Sequence, residues 1–572
     1  YSSYWKMLIF LLFISNVVAI AKTDLALRLK TGTSLSLSSL IATKNGKAQV
    51  KNAKSLLDEG RALFAVGRFA EAAKLWEEAV QQAETLGDLH TKAYVLTELG
   101  GLYLQTQQLA PALKRTKQAQ QIAEMLNDSS IAYKAHWQSG RIYKIQGNTK
   151  AAISAYNLSV NALNSLRNNP VAGNSDVQFS FEESVEPVYR ELVDLLLQSN
   201  PSQENLKQAQ KAIEALQLAE LDNFFREARL EVKPQQIHQI DRNTAVIYPI
   251  ILPDRLEVII SIPGKPLFSY KTSISKAEIE NSITQMRQSL NPAYSNEERL
   301  QLYQKLYDWL IRPVEPQLSN SKVKNLAFVL DGSLRNLPMA ALHNGKQYLV
   351  EKYSLALSPG MQLLQTRVLE EENWRGMTAG LSEARQGFKA LPAVKMEVKE
   401  IVSEVPSQLL FNETFTRANL RKALESKPFS ILHLATHGQF SSKYDDTFIL
   451  TWDDKIDLRE LGELIKSRDK EETSSVELLV LSACQTAKGD NRAILGLAGI
   501  AVRSGARSTL ATLWSVKDES TAKFMAEFYQ QLKQPGTSKA EALRQAQLKF
   551  LQDEDFSHPF YWAPFVLVGN WL

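Results

Sequence analysis

The sequence predicts an array of α-helical repeats followed by an α/β domain with a mostly parallel β-sheet. Three observations indicate this fold class. Glycines recur every forty residues within a helical pattern in the first third of the chain. From about residue 244, short apolar runs alternate with helical segments, which is typical of strands joined by crossover helices. The single cysteine, Cys484, directly follows one of these runs, so no internal disulfide constrains the fold.

Length and composition exclude several classes of protein. A chain of 572 residues is too long for one hydrophobic core and indicates several domains. The net charge of +4 is the balance of 66 basic and 62 acidic residues with no basic block, so no nucleic-acid partner is expected. The sequence shows no phosphate-binding loop, no dinucleotide fingerprint and no cluster of metal ligands. We therefore predict neither a metal nor a cofactor.

Residues 1–21 are predicted to be a signal peptide. The stretch from Met7 to Ala21 is mostly apolar and ends in a small-x-small pattern that signal peptidase accepts. A helix of this length rises about 22 Å, less than a hydrocarbon core of about 30 Å. The sequence thus indicates export to the periplasm or cell envelope, and the alternative is an uncleaved membrane anchor formed by residues 7–21. Residues 22–49 are rich in Ser, Thr, Lys and Gly and are predicted to be a linker.

Residues 50–168 are predicted to form three helix–turn–helix repeats with a period of forty. In each repeat a glycine lets two helices cross closely, an alanine follows twelve residues later, and a residue four further on fills the gap. The turn between the helices is expected seven residues after the glycine. The equivalent positions are Gly60, Gly100 and Gly140; Ala72, Ala112 and Ala152; Trp76, Thr116 and Tyr156; and, at the turns, Gly67, Gln107 and Gly147.

Two further regions complete the predicted architecture. Helical patterning continues through residues 169–232, which we expect to cap the repeats. The pattern then changes, because residues 244–262 are β-branched and interrupted by Pro249 and Pro253, which predicts short strands joined by turns. Residues 240–572 are predicted to be the α/β domain.

Two buried-strand patterns in this domain end close to reactive side chains. Residues 429–435 run into His437 and Gly438, and residues 476–483 run into Cys484. If the two strands are parallel neighbours joined by a helix in residues 457–467, the histidine and the cysteine emerge together at one edge of the sheet. An imidazole favours the thiolate and can protonate a leaving amine, and the Gly438 N–H can bind an oxyanion. The alternative for Cys484 is an inert thiol in the core, and the alternative for His437 is a histidine at the end of a strand that is satisfied by the backbone.

The motifs HLATHG (433–438) and LSACQT (481–486) resemble the CHAT family, whose caspase-like domains are found attached to tetratricopeptide repeats. The forty-residue repeats resemble a longer form of that repeat. The resemblance extends over most of the second half of the chain and implies a caspase- or separase-like cysteine peptidase with a His437–Cys484 dyad and no obligatory third member. His433, which lies within the strand pattern, is predicted to be structural.

Asp518 is the candidate for substrate specificity. The segment around it, W-x-V-x-D, resembles the separase segment whose aspartate binds a basic P1 side chain, which implies cleavage after Arg or Lys. The alternative is that Asp518 is the N-cap of a helix whose apolar face includes Phe524 and Phe528. Metacaspase-like enzymes and caspases have an acidic residue and a glutamine, respectively, two positions before the cysteine, whereas this chain has Ser482.

The sequence therefore supports two functions. The first is a cysteine endopeptidase whose tetratricopeptide repeats bind a protein partner or substrate. The second is a non-catalytic repeat scaffold whose peptidase-like domain serves only for docking. A membrane is expected as a partner only through the N-terminal anchor, and residues 467–475 are a candidate exposed processing segment.

Overall fold

A computed structural model describes most of the chain after residue 51. The predicted signal or anchor segment, the linker and the candidate processing segment 467–475 lie outside the described residues. Of the helices that are described, none is both long and apolar enough to cross a membrane. The described residues are 52–168, 181–198, 200–225, 241–361, 374–426, 428–441, 446–466, 476–482, 484–486 and 505–572.

The first part of the chain is helical, as predicted. The chain as a whole divides into two compact units, and the boundary between them follows residue 82. Each helix of the repeats ends at a tight turn, and a short π-helical turn at Phe181–Val185 precedes the last two helices. The helices are α1 (Ala53–Ala65), α2 (Phe69–Thr85), α3 (Leu89–Gln105), α4 (Leu109–Leu126), α5 (Ser129–Ile145), α6 (Thr149–Asn168), α7 (Glu186–Leu196) and α8 (Gln203–Phe225).

The forty-residue period corresponds to close crossings between paired helices. A Cβ atom built on Gly60 would lie 2.2 Å from Nε1 of Trp76, and one on Gly140 would lie 2.8 Å from Cδ2 of Tyr156. No side chain larger than hydrogen fits at either crossing, because real Cβ atoms do not approach heavy atoms so closely. The glycines and the large residues sixteen positions later thus pack against each other, as the sequence predicts.

The turns between the helices fall at the predicted positions. Gly67, Gln107 and Gly147 have φ angles of 81°, 60° and 75°, in the left-handed region. That conformation suits glycine and is less favourable for glutamine, so Gln107 occupies a slightly strained position. Pro111 lies in the first turn of α4, where its missing N–H costs no hydrogen bond.

The described residues of the α/β region form two sheets. Their strands are short, as the interrupted pattern in the sequence indicates. They are β1 (Thr244–Ile251), β2 (Leu256–Ser261), β3 (Phe268–Thr272), β4 (Asn325–Phe328), β5 (Ser354–Leu357), β6 (Gly376–Gly380), β7 (Ser407–Phe411), β8 (Ile431–Ala435), β9 (Gly438–Phe440), β10 (Phe448–Leu450), β11 (Lys455–Asp457), β12 (Leu478–Leu481), β13 (Cys484–Thr486), β14 (Ser508–Thr512) and β15 (Phe565–Gly569).

Helices connect these strands and cover the sheet. The predicted crossover helix between β8 and β12 is present as α15, and the helix after β14 is α16. The helices are α9 (Lys276–Ser289), α10 (Asn296–Leu310), α11 (Glu315–Ser319), α12 (Leu349–Lys352), α13 (Val394–Glu404), α14 (Arg417–Ser426), α15 (Leu458–Lys466), α16 (Asp518–Leu532), α17 (Lys539–Leu551) and α18 (Pro559–Trp562).

The large sheet has eleven strands in the order β3-β2-β1-β4-β5-β15-β14-β12-β8-β6-β7. The pairs β3–β2, β2–β1 and β15–β14 are antiparallel, and all its other neighbouring pairs are parallel. The antiparallel β15–β14 pair is a change of direction within the sheet: β14, β12, β8, β6 and β7 run one way, and β15, β5, β4 and β1 run the other way. The carboxyl ends of β1 and β4 therefore lie at the opposite edge of the sheet from those of β8 and β12. The predicted mostly parallel sheet is confirmed.

One expectation about the first strand is wrong. Pro249 does not interrupt β1, where it lies opposite Val258 of β2. Its ring nitrogen is instead on the side of β4, where the ladder stops at the pair Ile247–Phe328. A proline is tolerated here because the strand needs no donor beyond the end of its neighbour.

Candidate active site

The strands that precede the predicted catalytic residues are neighbours. β8 and β12 pair in parallel, with Leu434 opposite Leu481. His437 lies two residues beyond the end of β8, and Cys484 lies three residues beyond the end of β12. The carboxyl ends of parallel strands meet at one edge of a sheet, so the two segments leave the large sheet side by side. This is the strand arrangement that the sequence predicts.

A second sheet, with the order β11-β10-β9-β13, continues beyond this edge and was not predicted. β9 pairs with β13 in parallel, and Gly438 lies opposite Cys484. Paired residues of neighbouring strands have backbones about 4.8 Å apart, so the backbones of Gly438 and Cys484 lie next to each other. The description of Cys484 ends at its backbone, and its side chain lies outside the described atoms.

The backbone N–H of Gly438 points toward β13. The carbonyl oxygen of His437 accepts a hydrogen bond from the N–H of Leu450 in β10, at 2.8 Å. In a trans peptide the N–H of the following residue points the opposite way, which is the side of the strand that begins with Cys484.

His437 is held by a loop that lies far from it in the sequence. Its side chain is half-buried, and Nε2 donates a hydrogen bond to the backbone carbonyl of Lys389, at 2.7 Å. The ring of Phe388 packs against the imidazole with a centroid distance of 5.1 Å. Since Nε2 carries the proton in this hydrogen bond, Nδ1 is the nitrogen with a free lone pair in the neutral imidazole.

A tight turn positions this loop. Phe388 donates its N–H to the carbonyl of Arg385, at 2.8 Å, across Gln386 and Gly387, which have φ angles of 49° and 84°. The guanidinium carbon of Arg385 lies 3.3 Å from the ring centroid of Trp452, a cation–π contact that attaches the turn to the strand pair β10–β11. The turn thus fixes the carbonyl that orients His437.

Asp518 is not the N-cap of its helix. The N-cap position is occupied by Lys517, whose side chain makes no capping hydrogen bond, and Asp518 is the first helical residue of α16. Its Oδ2 instead accepts the backbone N–H of Ala393, the residue that precedes α13, at 2.6 Å. The carboxylate therefore lies at the N-terminal end of a different helix, where the helix dipole favours negative charge. Its Oδ1 makes no hydrogen bond to any described residue.

The surroundings of Asp518 favour its protonated form. Burial raises the pKa of the carboxyl, the Ala393 N–H lowers it, the negative charge of Glu397 raises it, and the positive charge of His437 lowers it. The net effect is a pKa above the ordinary value for aspartate. The influence of His437 shows that the structure brings the predicted specificity residue into electrostatic range of the predicted base.

His433 is fully buried, as expected for a structural residue, and it also belongs to a polar network that the sequence analysis missed. Nε2 donates to Oε1 of Glu397, at 2.9 Å, and the Tyr529 hydroxyl lies 3.1 Å from Nδ1. Burial, followed by the charge of Glu397, raises the pKa of Tyr529 well above its ordinary value, so its O–H is the donor to Nδ1. This network of hydrogen bonds joins three elements, α13, β8 and α16.

Ser482 contributes backbone contacts only. Its N–H donates to the carbonyl of Leu434, at 3.3 Å, and its buried hydroxyl has no partner among the described residues. Within the described part of the chain, no group of three or more His, Cys, Asp or Glu side chains is arranged to hold a metal ion.

Three residues of this site were not predicted from the sequence: Lys389, Glu397 and Tyr529. Lys389 acts through its backbone carbonyl, which leaves no signal in residue type. Glu397 and Tyr529 lie on amphipathic helices, where an acidic residue or a tyrosine is common. A charged residue on the apolar face of α13 was the one detectable sign, since a buried carboxylate requires a partner.

Comparisons with known proteins agree with this architecture. Residues 300–570 match the CHAT domain family. Tetratricopeptide repeat protein 28 of Mus musculus and that of Homo sapiens are each 25% identical to this chain over 321 residues. The aligned part is 46% of this chain and 13% of each relative, so the chain spans a small part of the relatives' length.

Among solved structures, the chain has a likeness to the Saccharomyces cerevisiae separase–securin complex. The structure at 2.6 Å has a TM-score of 0.45 and 12% identity, covering 91% of this chain and 47% of that chain. The structure at 3.0 Å has a TM-score of 0.40 and 11% identity, covering 93% of this chain and 51% of that chain. From the family match and the observed helices, residues 300–570 are a CHAT domain, and the helical repeats before it are of the tetratricopeptide type.

Proposed function

We propose that this protein is a cysteine peptidase that uses His437 and Cys484 as a catalytic dyad. The observation that carries the proposal is the pairing of β9 with β13, which sets Gly438 opposite Cys484 and His437 one residue from that pair. A nucleophile and its base must come within hydrogen-bond reach of each other, and this register supplies adjacent backbones from which they can do so.

The hydrogen bond to Lys389 assigns the role of each imidazole nitrogen. Nε2–H is engaged by a fixed carbonyl, so Nδ1 is the atom that accepts the thiol proton of Cys484. The thiolate then attacks the peptide carbonyl, the proton on Nδ1 passes to the leaving amine, and a water molecule activated by the same nitrogen hydrolyses the thioester. The Lys389 carbonyl thus serves as the orienting partner that a third side chain provides in other peptidases.

Gly438 is the proposed oxyanion donor, because its N–H points toward the strand of Cys484. In a parallel ladder this N–H is also the donor that β9 would use for β13. Oxyanion binding therefore competes with the ladder, and the N–H becomes available when the end of the ladder opens. This competition favours an enzyme that is latent until a substrate or partner is bound.

Asp518 is the proposed P1 selector for Arg or Lys. Its Oδ1 has no hydrogen bond among the described residues, and its carboxylate lies within electrostatic range of His437. A guanidinium pairs well with a carboxylate that one backbone N–H already holds in place. The tetratricopeptide repeats are proposed to bind a protein partner or the substrate itself, in keeping with the likeness to a tetratricopeptide repeat protein.

The dyad can be tested without a substrate, because Cys484 is the single cysteine of this chain and therefore the one thiol that iodoacetamide can alkylate. A free thiol has a pKa of about 8.5, and a neighbouring imidazole lowers it. We expect alkylation at pH 7 to be at least about tenfold slower in His437→Ala. His90→Ala, which changes an exposed histidine in the repeats, is the control and should react like the wild type. Equal rates in all three proteins would contradict the dyad.

Specificity is tested with an acyloxymethyl ketone that carries arginine at P1. We expect covalent labelling that disappears in Cys484→Ala and falls at least about tenfold in Asp518→Asn, while iodoacetamide still alkylates the latter at the wild-type rate. The asparagine keeps an oxygen for the Ala393 N–H, so the comparison isolates the charge. If iodoacetamide reacts but no P1 variant of the probe does, the scaffold interpretation replaces the peptidase.

A further inference from the structure

A cleft of about 620 Å³ lies at the same edge of the large sheet as His437. One wall is formed by the end of α9 and the turn after it, and the other by residues that follow β14 and precede β15. Its volume is in the range of sites for small molecules or single side chains. The lining residues are Arg287, Gln288, Leu290, Asn291, Pro292, Tyr294, Trp514, Ser515 and Phe560.

The cleft contains a cation that has no partner in the part of the chain that the structure describes. The half-buried Arg287 side chain forms no hydrogen bond, ion pair or ring contact with any described residue, and no lining residue is acidic. Burial lowers the pKa of its guanidinium, with no carboxylate to oppose the effect. By contrast, Arg190 pairs with Asp331 and Arg335 pairs with Glu220. A guanidinium that has lost part of its hydration without gaining an acceptor is ready to bind an anion.

Apolar and aromatic groups surround this cation. The Trp514 ring is fixed by a hydrogen bond from Nε1 to the carbonyl of Phe560, at 3.1 Å. Tyr294 leaves 41% of its surface exposed, which is high for a large side chain, and Leu290 and Pro292 complete the apolar lining. These surfaces favour a ligand with an apolar body next to its negative charge.

The charge balance selects the kind of anion. A single guanidinium matches a carboxylate, which carries one negative charge and accepts two parallel hydrogen bonds. A phosphate monoester carries close to two charges at neutral pH and is usually bound by a cluster of cations. Among the described residues of the lining, Arg287 is the one cation, so a carboxylate is the better match.

We propose that this cleft binds a carboxylate attached to an apolar body, as presented by an acidic side chain flanked by apolar residues in a polypeptide. A free aromatic acid has the same chemistry. The cleft lies at the carboxyl end of β14, two strands from β8, or about 10 Å across the sheet. The site would therefore lie beside the proposed catalytic residues, although its binding of acidic ligands does not depend on peptidase activity.

The test is to titrate ligands into the full chain and to measure their binding by calorimetry and saturation-transfer NMR. The protein carries Cys484→Ala to prevent turnover. The ligands are a blocked Gly-Phe-Glu-Phe-Gly peptide, the same peptide with glutamine in place of glutamate, and phenylacetate. We expect the glutamate peptide to bind at least about tenfold more tightly than the glutamine peptide, since the pair with Arg287 is charge-assisted. This difference should vanish in Arg287→Gln and persist in part in Arg287→Lys.

Two further variants separate charge from packing. Lys276→Gln removes the same charge from the other end of α9 and should bind like the parent protein. Tyr294→Ala should weaken both peptides several-fold without removing the preference for glutamate. If phenylacetate binds through Arg287 and the peptide does not, the ligand is a free acid of the same chemistry. The inference is overturned if no ligand binds, if glutamate and glutamine peptides bind equally, or if Arg287→Gln, with an unchanged melting temperature, binds as before.

Discussion

At the residue scale, the candidate site depends on hydrogen bonds that leave one atom of each group without a partner among the described residues. His437 engages Nε2 with the Lys389 carbonyl, and Asp518 engages Oδ2 with the Ala393 N–H. Nδ1 and Oδ1 remain for a substrate or for Cys484. Lys389 and Ala393 belong to the same loop, residues 385–393, so a shift of this loop would move the base and the specificity residue together.

The raised pKa of Asp518 predicts a pH-dependent effect on stability. A carboxyl whose pKa is higher in the folded state destabilises the fold at neutral pH, where both states are ionised, and the penalty disappears as pH falls below the ordinary aspartate value. Asp518→Asn should therefore raise the free energy of unfolding at pH 7, by a small amount because water screens a half-exposed group. Urea unfolding at pH 7 and below pH 4 measures the difference in the free energy of unfolding between the variant and the wild type. A variant that is more stable than the wild type only at the lower pH would contradict the prediction.

The same residue sets a pH limit on the proposed specificity. Only the ionised carboxylate attracts a basic P1 side chain, so labelling by the arginine probe should decline as pH falls through the raised pKa of Asp518. The decline should begin at a higher pH than for an ordinary aspartate. In Glu397→Gln one of the charges that raises this pKa is absent, so the decline should shift to lower pH. A profile identical to that of the wild type would exclude the coupling.

At the element scale, a buried hydrogen-bond network that runs from Glu397 through His433 to Tyr529 joins α13 and α16 to β8. These are the elements that carry the Ala393 end of the loop, Asp518 and the approach to His437. This network is buried, since the side chains of His433 and Glu397 are 0% and 1% exposed. Because buried polar groups are costly when unpaired, the network fixes one relative position of the three elements.

Disruption of this network should affect both stability and reactivity. Tyr529→Phe removes the donor to Nδ1 of His433 and should lower the free energy of unfolding by about 1–2 kcal/mol. Glu397→Ala should cost more, about 3 kcal/mol, whereas Glu397→Gln keeps an oxygen for the Nε2–H bond and should cost less than either. Urea unfolding gives the order, and the alkylation rate of Cys484 should fall in the same order. Equal losses for Gln and Ala at position 397 would argue against the hydrogen bond.

At the scale of the whole molecule, the helices after the repeats pack at the edge of the sheet opposite His437. Arg190 of α7 forms a bidentate pair with Asp331, at 2.8 and 2.9 Å, beyond the carboxyl end of β4. Asp331 also accepts the N–H of Ile251, at 2.9 Å, and Glu220 of α8 pairs with Arg335 nearby. Since β4 and β8 run in opposite directions, a signal from the repeats would have to cross the sheet to reach the candidate site.

This buried ion pair gives a test of how firmly the helices are attached. Asp331 is 2% exposed, so Arg190→Met leaves a buried carboxylate without its cation and should cost about 3–5 kcal/mol. The double variant Arg190→Met, Asp331→Leu removes both charges and should recover much of this loss, although the Ile251 N–H then lacks an acceptor. Thermal and urea unfolding of the wild type, the two single variants Arg190→Met and Asp331→Leu, and the double variant measures the coupling energy. A double variant as unstable as the single one would show that the pair itself is not the source of stability.

The sequence by itself determined the repeats, the strands and the placement of His437 and Cys484 after neighbouring strands. Each of these is encoded locally: the Gly60–Trp76 spacing fixes a helix crossing, and apolar runs of strand length fix the strands. Chain direction then brings the ends of parallel strands to one edge. The CHAT resemblance could be recognised from short motifs because it too is encoded locally in the sequence.

Only the tertiary structure decided what surrounds these residues. The Lys389 carbonyl, the Ala393 N–H and Tyr529 are 48, 125 and 96 positions from the groups that they bind. No periodic pattern records such contacts, because they depend on how loops and helices close over the sheet. The change of strand direction at β14–β15 and the small sheet that pairs Gly438 with Cys484 were equally invisible in the sequence. The physical reason is that hydrophobic periodicity specifies which face of an element is buried, whereas partners distant in the chain are selected by packing and by the need to satisfy buried polar groups.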